Sequence, residues 1–192
     1  KKGPIKLLMG PWTHGDVSVS LTYSGDVDFG PTASLNGNLA EDFGGWRLRW
    51  FDRWLKDEDN GVDSDPSTYI FVMGENAWRG EEAWPPPDVR TASYFLRGGG
   101  KANTLNGDGG LSLDPPAAGE PADTYLYNPL YPAPTMGGAH LAGVPSVFDV
   151  GVQDQRPDEA RADVLVYSTP PMERDTEVTG PVTVTLYAAS SA

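Results

Sequence analysis

Ile5-Lys6-Leu7-Leu8-Met9-Gly10-Pro11-Trp12-Thr13-His14-Gly15 is the stretch on which the reading of this chain turns. A short, mostly apolar run stopped by Gly-Pro is the pattern of a buried strand with a sharp end. A histidine then follows within a few residues. In α/β folds, the loop after a strand's carboxyl end is where ligand-binding and catalytic groups gather. His14 in that position is a candidate general base.

Outward from this stretch, a loop rich in Gly, Ser, Thr and Asp leads to the clearest helix signal. Leu39, Phe43, Trp46, Trp50 and Trp54 recur at spacings of three and four, and Leu48, Phe51 and Leu55 widen the stripe. The helix is expected over about 38–59. Asn38 with Glu41 has the spacing of a capping box, and Asn60-Gly61 gives a left-handed stop. Its aromatic face is expected to pack on the sheet and hold the histidine loop. Tyr69-Ile70-Phe71-Val72-Met73 is a continuous apolar run closed by Gly74, the pattern of a strand covered on both faces. Strand, helix, strand makes residues 1–86 the tail of an α/β domain.

Trp84-Pro85-Pro86-Pro87 changes the character of the chain, because three prolines stiffen it and mark a boundary. Residues 87–192 carry short runs at 93–96, 124–127, 164–167 and 182–187. In the last, Val182, Val184 and Leu186 alternate with Thr183, Thr185 and Tyr187. Turn residues lie between the runs. The fold class expected is α/β followed by all-β: a strand-helix-strand tail plus a partial β-sandwich of jelly-roll type, with the sandwich cut short. Apolar surface is expected to stand exposed as a result.

Composition narrows function further. The chain of 192 residues carries 14 basic and 27 acidic side chains, a formal charge of −13. Such a surface is a poor partner for nucleic acid or anionic membranes, and no apolar run approaches membrane-spanning length. There are no cysteines, which excludes disulfides, thiolate chemistry and Cys-ligated zinc. Lys1-Lys2-Gly3-Pro4 is neither an initiator methionine nor a signal peptide and reads as a chain entered in mid-protein.

Other candidate motifs fail on their own chemistry. The second histidine, His140, sits in a glycine-rich turn and reads as a solvated loop residue. The two histidines lack the spacing of a zinc site. Gly98-Gly99-Gly100-Lys101 suggests a phosphate loop, but Phe95 stands where its first glycine belongs and Ala102 replaces the Ser or Thr. Asn106-Gly107-Asp108 opens like a calcium loop, but Ala117 occupies the place of the bidentate glutamate. No cofactor is expected. No Gly-x-Ser-x-Gly elbow occurs, so a nucleophile to complete a triad with His14 is missing from this chain.

The ordered set of motifs resembles one family. Gly10-Pro11-Trp12-Thr13-His14 looks like the histidine motif of the X-Pro dipeptidyl-peptidases and bacterial cocaine esterases. Gly25-Asp26-Val27-Asp28-Phe29-Gly30, Arg49-Trp50-Phe51-Asp52-Arg53-Trp54-Leu55-Lys56 and Phe71-Val72-Met73-Gly74-Glu75-Asn76-Ala77-Trp78-Arg79 follow in family order. So do Asp123-Thr124-Tyr125-Leu126-Tyr127-Asn128-Pro129, Asp154-Gln155-Arg156-Pro157 and Val178-Thr179-Gly180-Pro181-Val182. The resemblance implies an α/β-hydrolase followed by a jelly-roll domain, with acyl transfer through a Ser-His-Asp triad. It implies that His14 is the triad histidine, with the serine and aspartate upstream. The implied substrate is a small ester or amide, or an X-Pro peptide. The alternative from a different class is a non-catalytic β-sandwich that binds carbohydrate through Tyr125, Tyr127 and Tyr131.

Overall fold

The computed structural model describes residues 4–15, 17–139 and 150–191. Strand β1 (Leu7–Met9) is followed by a 3-10 turn at Ser18–Ser20 and a small antiparallel pair, β2 (Tyr23–Ser24) and β3 (Val27–Asp28). Helix α1 (Phe43–Lys56) then leads to β4 (Thr68–Val72) and β5 (Ala77–Glu81). β1 and β4 are parallel neighbours, Leu7 opposite Thr68 and Met9 opposite Ile70, so α1 lies within a β-α-β crossover. β5 returns antiparallel to β4, giving a three-stranded sheet in the order β1-β4-β5.

β4 is central because its sequence tolerates cover on both faces. Ile70 and Phe71 point to opposite faces, and both are buried. Phe71 meets Phe29 edge-on at 5.9 Å and Trp78 at 5.4 Å, and with Ala33 these form the core cluster. The β4–β5 turn needs left-handed backbone at Gly74 (φ +94°) and Asn76 (φ +53°). Thr32 closes that turn onto the core by donating from Oγ1 to the Asn76 carbonyl at 2.6 Å.

α1 is shorter than its periodicity predicts. Asp42, not Asn38, is the N-cap, its Oδ1 accepting from the Gly45 N–H at 2.7 Å. The Asn38 side chain is committed elsewhere: its amide donates to the carbonyls of Pro31 and Ser34, tightening the preceding loop. The helix ends at Asp57 in left-handed conformation (φ +60°), before Asn60-Gly61. No residue of α1 is fully buried. Trp46 and Trp50 are half-buried, while Leu48, Phe51 and Leu55 stand exposed. The aromatic stripe is real but only partly covered. Polar ties attach the helix instead: Arg49 pairs with Asp65, and Arg53 reaches Asp63 and Asp57 at 2.8 Å each. The Lys6 ammonium lies 5.9 Å from the rings of both Trp50 and Tyr69 and donates to the Pro66 carbonyl at 2.9 Å. Burial draws its pKa below the ordinary lysine value, with Asp65 opposing that shift.

After the prolines, β6 (Phe95–Arg97) and β7 (Gly110–Ser112) form a two-stranded antiparallel pair, and one short helix, α2 (Arg156–Glu159), follows. Residues 164–168 join the pair by isolated bridges, Asn103 with Leu165 and Gly110 with Ser168. The runs expected as strands at 124–127 and 182–187 form no strand pairing among the described residues. Val182 and Leu186 are 80% and 65% exposed. Alternation supplies a strand with an apolar face, but a ladder needs a second row of N–H and C=O groups beside it. This half is β-rich and open.

Among the described residues, a backbone bridge and an ion pair tie the halves together. Val152 bridges to Gly25, with Asp26 N–H to the Val152 carbonyl at 2.8 Å. A β-carbon on Gly25 would stand 2.2 Å from that carbonyl oxygen, so glycine is required by close approach. The second contact is Arg79 on β5, whose guanidinium grips Glu177 at 2.7 and 3.0 Å.

Candidate functional site

His14 lies in the loop that leaves the carboxyl end of β1, and its side chain is exposed. What holds that loop can be followed residue by residue. On one side, Trp12 packs against Trp78 of β5 in a tilted pair, with ring centroids 5.4 Å apart and planes at 48°. Trp78 in turn meets Phe71, so the loop is tied to the core cluster through a ladder of aromatic rings. The indole of Trp12 also folds back over Gly10. A β-carbon there would come within 2.4 Å of the ring. Gly10 therefore does more than end the strand: it makes room for the side chain that anchors the loop.

On the other side stands Ser18, at 7% exposure in the first turn after the loop. Its hydroxyl lies 2.8 Å from the Thr13 carbonyl and 2.6 Å from the Gly15 carbonyl, and its N–H donates to Gly15 at 3.1 Å. Gly15 takes φ +124°, a conformation that side-chain-bearing residues rarely adopt. His14 is thus presented on a loop pinned on both flanks, with its imidazole in solvent.

The chemistry available to this arrangement is that of a mobile-proton side chain on a fixed base. A histidine so placed can take and return a proton, but needs a nucleophile brought to it. Helix α1 does not pack fully over the sheet as its stripe predicts, so the support comes from Trp12, Trp78 and Ser18. Sequence reasoning missed these three. The signals were present: a tryptophan two residues past a strand-ending glycine, and a serine four residues after the histidine, where a hydroxyl can reach back to loop carbonyls. His140 falls outside the described residues.

The glycine-rich turn at 98–101 has an internal use. The N–H groups of Gly98, Gly99, Lys101 and Ala102 donate to Glu120, Asp108, Asp108 and Asp123, at 3.0, 3.0, 3.2 and 2.9 Å. Arg97 grips Glu120 and, with the Gly98 N–H, holds its carboxyl at a pKa of about 2. Tyr167 donates to Asp123 at 2.7 Å, and burial together with that carboxylate pushes its phenol up to about 12. Three carboxylates take up the amides that a phosphate would need. Among the described residues, no group of three His, Asp or Glu side chains comes together as a metal site.

The trailing half includes an open depression of about 340 Å³, lined by Leu126, Asn128, Tyr131, Arg161, Ala162 and Asp163. Arg161 covers one face of Tyr131 at 4.6 Å and is held by Asp163 at 2.7 Å. Tyr125 and Tyr127 are exposed beside it in sequence. No helix among the described residues is long and apolar enough to cross a membrane.

Residues 60–192 match the family described as the X-Pro dipeptidyl-peptidase C-terminal non-catalytic domain. The chain is 38% identical to cocaine esterase of Rhodococcus sp. (strain MB1 Bresler) over 187 residues, which is 97% of this chain and 31% of that protein. It is 32% identical to a protein of Mycobacterium bovis named as a candidate serine esterase, over 96% of this chain and 26% of that protein. Among solved structures it resembles an aminopeptidase from a marine sediment archaeon, Thaumarchaeota archaeon. The TM-score is 0.57 at 26% identity, covering 88% of this chain and 25% of that one. The chain spans less than a third of the length of the curated relatives it matches. His14 and α1 precede the matched non-catalytic domain, whereas β4 and everything after it lie inside the match.

Proposed function

Because the chain belongs to the X-Pro dipeptidyl-peptidase and cocaine esterase family as its C-terminal portion, we propose that it is the part of a serine hydrolase that supplies the triad histidine. His14 is the general base. It accepts the proton of a serine hydroxyl as that oxygen attacks an ester or amide carbonyl, then returns the proton to the leaving group. The serine, the aspartate that fixes the imidazole tautomer, and the oxyanion hole belong to the remainder of a longer protein. Residues 1–86 are the end of its α/β-hydrolase domain, and residues 87–192 belong to its jelly-roll domain. The observation that carries this reading is the exposed His14 on a loop pinned by Trp12 and Ser18 at the carboxyl end of a strand in a parallel pair.

The test is hydrolysis of p-nitrophenyl esters and X-Pro anilides by the complete protein, with His14→Ala beside it. Turnover is expected to fall by roughly 10⁴-fold or more. Equal rates in the two proteins would remove His14 from the mechanism. The preferred substrate separates an esterase from a peptidase.

A non-catalytic, carbohydrate-binding sandwich is the second reading. The exposed Tyr125, Tyr127 and Tyr131 beside the depression favour it. It leaves the pinned histidine loop without a purpose, and an oligosaccharide array with no bound sugar would count against it.

A further inference from the structure

We infer that Ser18 is a positioning residue for His14, acting by bridging the two carbonyls that flank it. The inference rests on the reading of His14 as the general base. The carbonyl of Thr13 belongs to the peptide group entering His14, and that of Gly15 lies one residue beyond it. The Ser18 hydroxyl lies within hydrogen-bond distance of both, at 2.8 and 2.6 Å. It carries one proton, which the two oxygens share. One buried hydroxyl thus meets a carbonyl on each side of His14 and helps to fix the backbone that aims the imidazole.

An ordinary local role would account for part of this. Ser and Thr hydroxyls commonly bond the carbonyl three residues back, and the Gly15 contact has that spacing. The Thr13 contact, five residues back, does not. The same 3-10 turn contains its own control. Ser20 donates to the Val17 carbonyl three residues back at 2.8 Å, is exposed, and bonds neither the Thr13 nor the Gly15 carbonyl. Ser18 differs from Ser20 in being buried and in spanning His14.

Aim matters because proton transfer is steep in geometry: a displacement on the order of 1 Å can cost about a hundredfold in rate. The experiment uses the complete hydrolase and compares Ser18→Ala, Ser18→Thr, Ser20→Ala, His14→Ala and the Ser18→Ala/His14→Ala double variant. kcat and KM are measured on a p-nitrophenyl ester. Ser18→Ala is expected to lower kcat roughly tenfold to a hundredfold with KM little changed. Ser18→Thr, which keeps the hydroxyl, should recover most of the loss, and Ser20→Ala should match wild type. In the His14→Ala background, Ser18→Ala should cost nothing further, because a residue that acts through His14 has nothing left to aim. Equal losses in both backgrounds, or a Ser18→Ala variant that does not accumulate as folded protein, would assign Ser18 to the fold and overturn the inference. A Ser18→Ala rate equal to that of Ser20→Ala would overturn it as well while leaving His14 in place. If His14→Ala itself is fully active, the histidine reading falls first and this inference with it.

Discussion

The two halves of this chain are built on opposite principles. Before the proline run, side chains are excluded from water: Val19, Phe29, Ala33, Leu35, Val62, Ile70 and Phe71 are buried, with Phe29, Ala33 and Phe71 in one cluster. After it, the buried apolar side chain among the described residues is Ala102, and order comes from charge and backbone polarity. Glu120, Asp108 and Asp123 hold the glycine turn, Arg161 holds Asp163, and Arg79 reaches across to Glu177. The difference teaches where strand patterns find their partners. β1 and β4 meet through a crossover that a single helix bridges. The alternating run at 182–187 has no strand partner among the described residues, and its apolar side chains face solvent.

The largest blow to this contrast is aimed at its centre. Phe71→Ala removes the ring that joins Phe29 to Trp78 and should cost about 3–5 kcal/mol. All six tryptophans, at 12, 46, 50, 54, 78 and 84, lie before the boundary, so urea unfolding followed by indole emission reports on the leading half alone. A midpoint unchanged by Phe71→Ala would mean that the core cluster is not what holds that half.

Gly10→Ala comes next. Its β-carbon collides with the Trp12 ring, and overpacking of this kind costs about 1–3 kcal/mol. Because the displaced ring anchors the histidine loop, activity of the complete protein should drop by more than the loss of folded protein accounts for. If activity and folded fraction fall together, the aromatic anchor serves only stability.

The link between the halves should respond to pH. Arg79, seconded by Thr179, lowers the Glu177 pKa from 4.5 to about 2 in the folded chain. A depressed carboxyl stabilises the fold above its unfolded pKa. That contribution is complete above about 4.5 and fades as pH falls toward 2. Glu177 is 39% exposed, so screening keeps the gain within about 1 kcal/mol. Glu177→Gln should remove this pH dependence and speed hydrogen exchange around residues 176–180 while leaving tryptophan emission unchanged. An exchange pattern identical to wild type at pH 7 would show that the pair does not hold the segment.

Leu186→Ala should have the smallest effect, within about 0.5 kcal/mol, because the side chain is already 65% exposed. A larger loss would show that the run has a partner in solution.

Where the sequence was legible, one segment carried its whole cause. The run at 69–73 was readable as a strand because continuous apolar residues need cover on two faces, and Ile70 and Phe71 have it; the run at 5–9, expected to be buried, gives only the edge strand Leu7–Met9, with Ile5 and Met9 exposed. The helix was legible in its stripe but not at its ends. The Asn38 amide prefers the carbonyls of Pro31 and Ser34 to a helix N-terminus, and no local pattern announces that choice. The strand runs of the trailing half were legible as propensity only, since pairing depends on residues distant in sequence. His14 stood out by its place after a strand. Its supports, Trp12 on Trp78 and Ser18 across two carbonyls, arise from the folded loop and are invisible to spacing.

The glycine turn at 98–101 carries a last consequence. Its amides are met by carboxylates tethered at most 22 residues away. A tethered group competes at an effective concentration on the order of millimolar or more, whatever the solution contains. Phosphate or sulfate at cellular levels would have to evict resident anions that never diffuse away. With its pKa near 2, Glu120 keeps its charge at any ordinary pH. A stretch that resembles an anion receptor has become one whose ligand is encoded in the same chain.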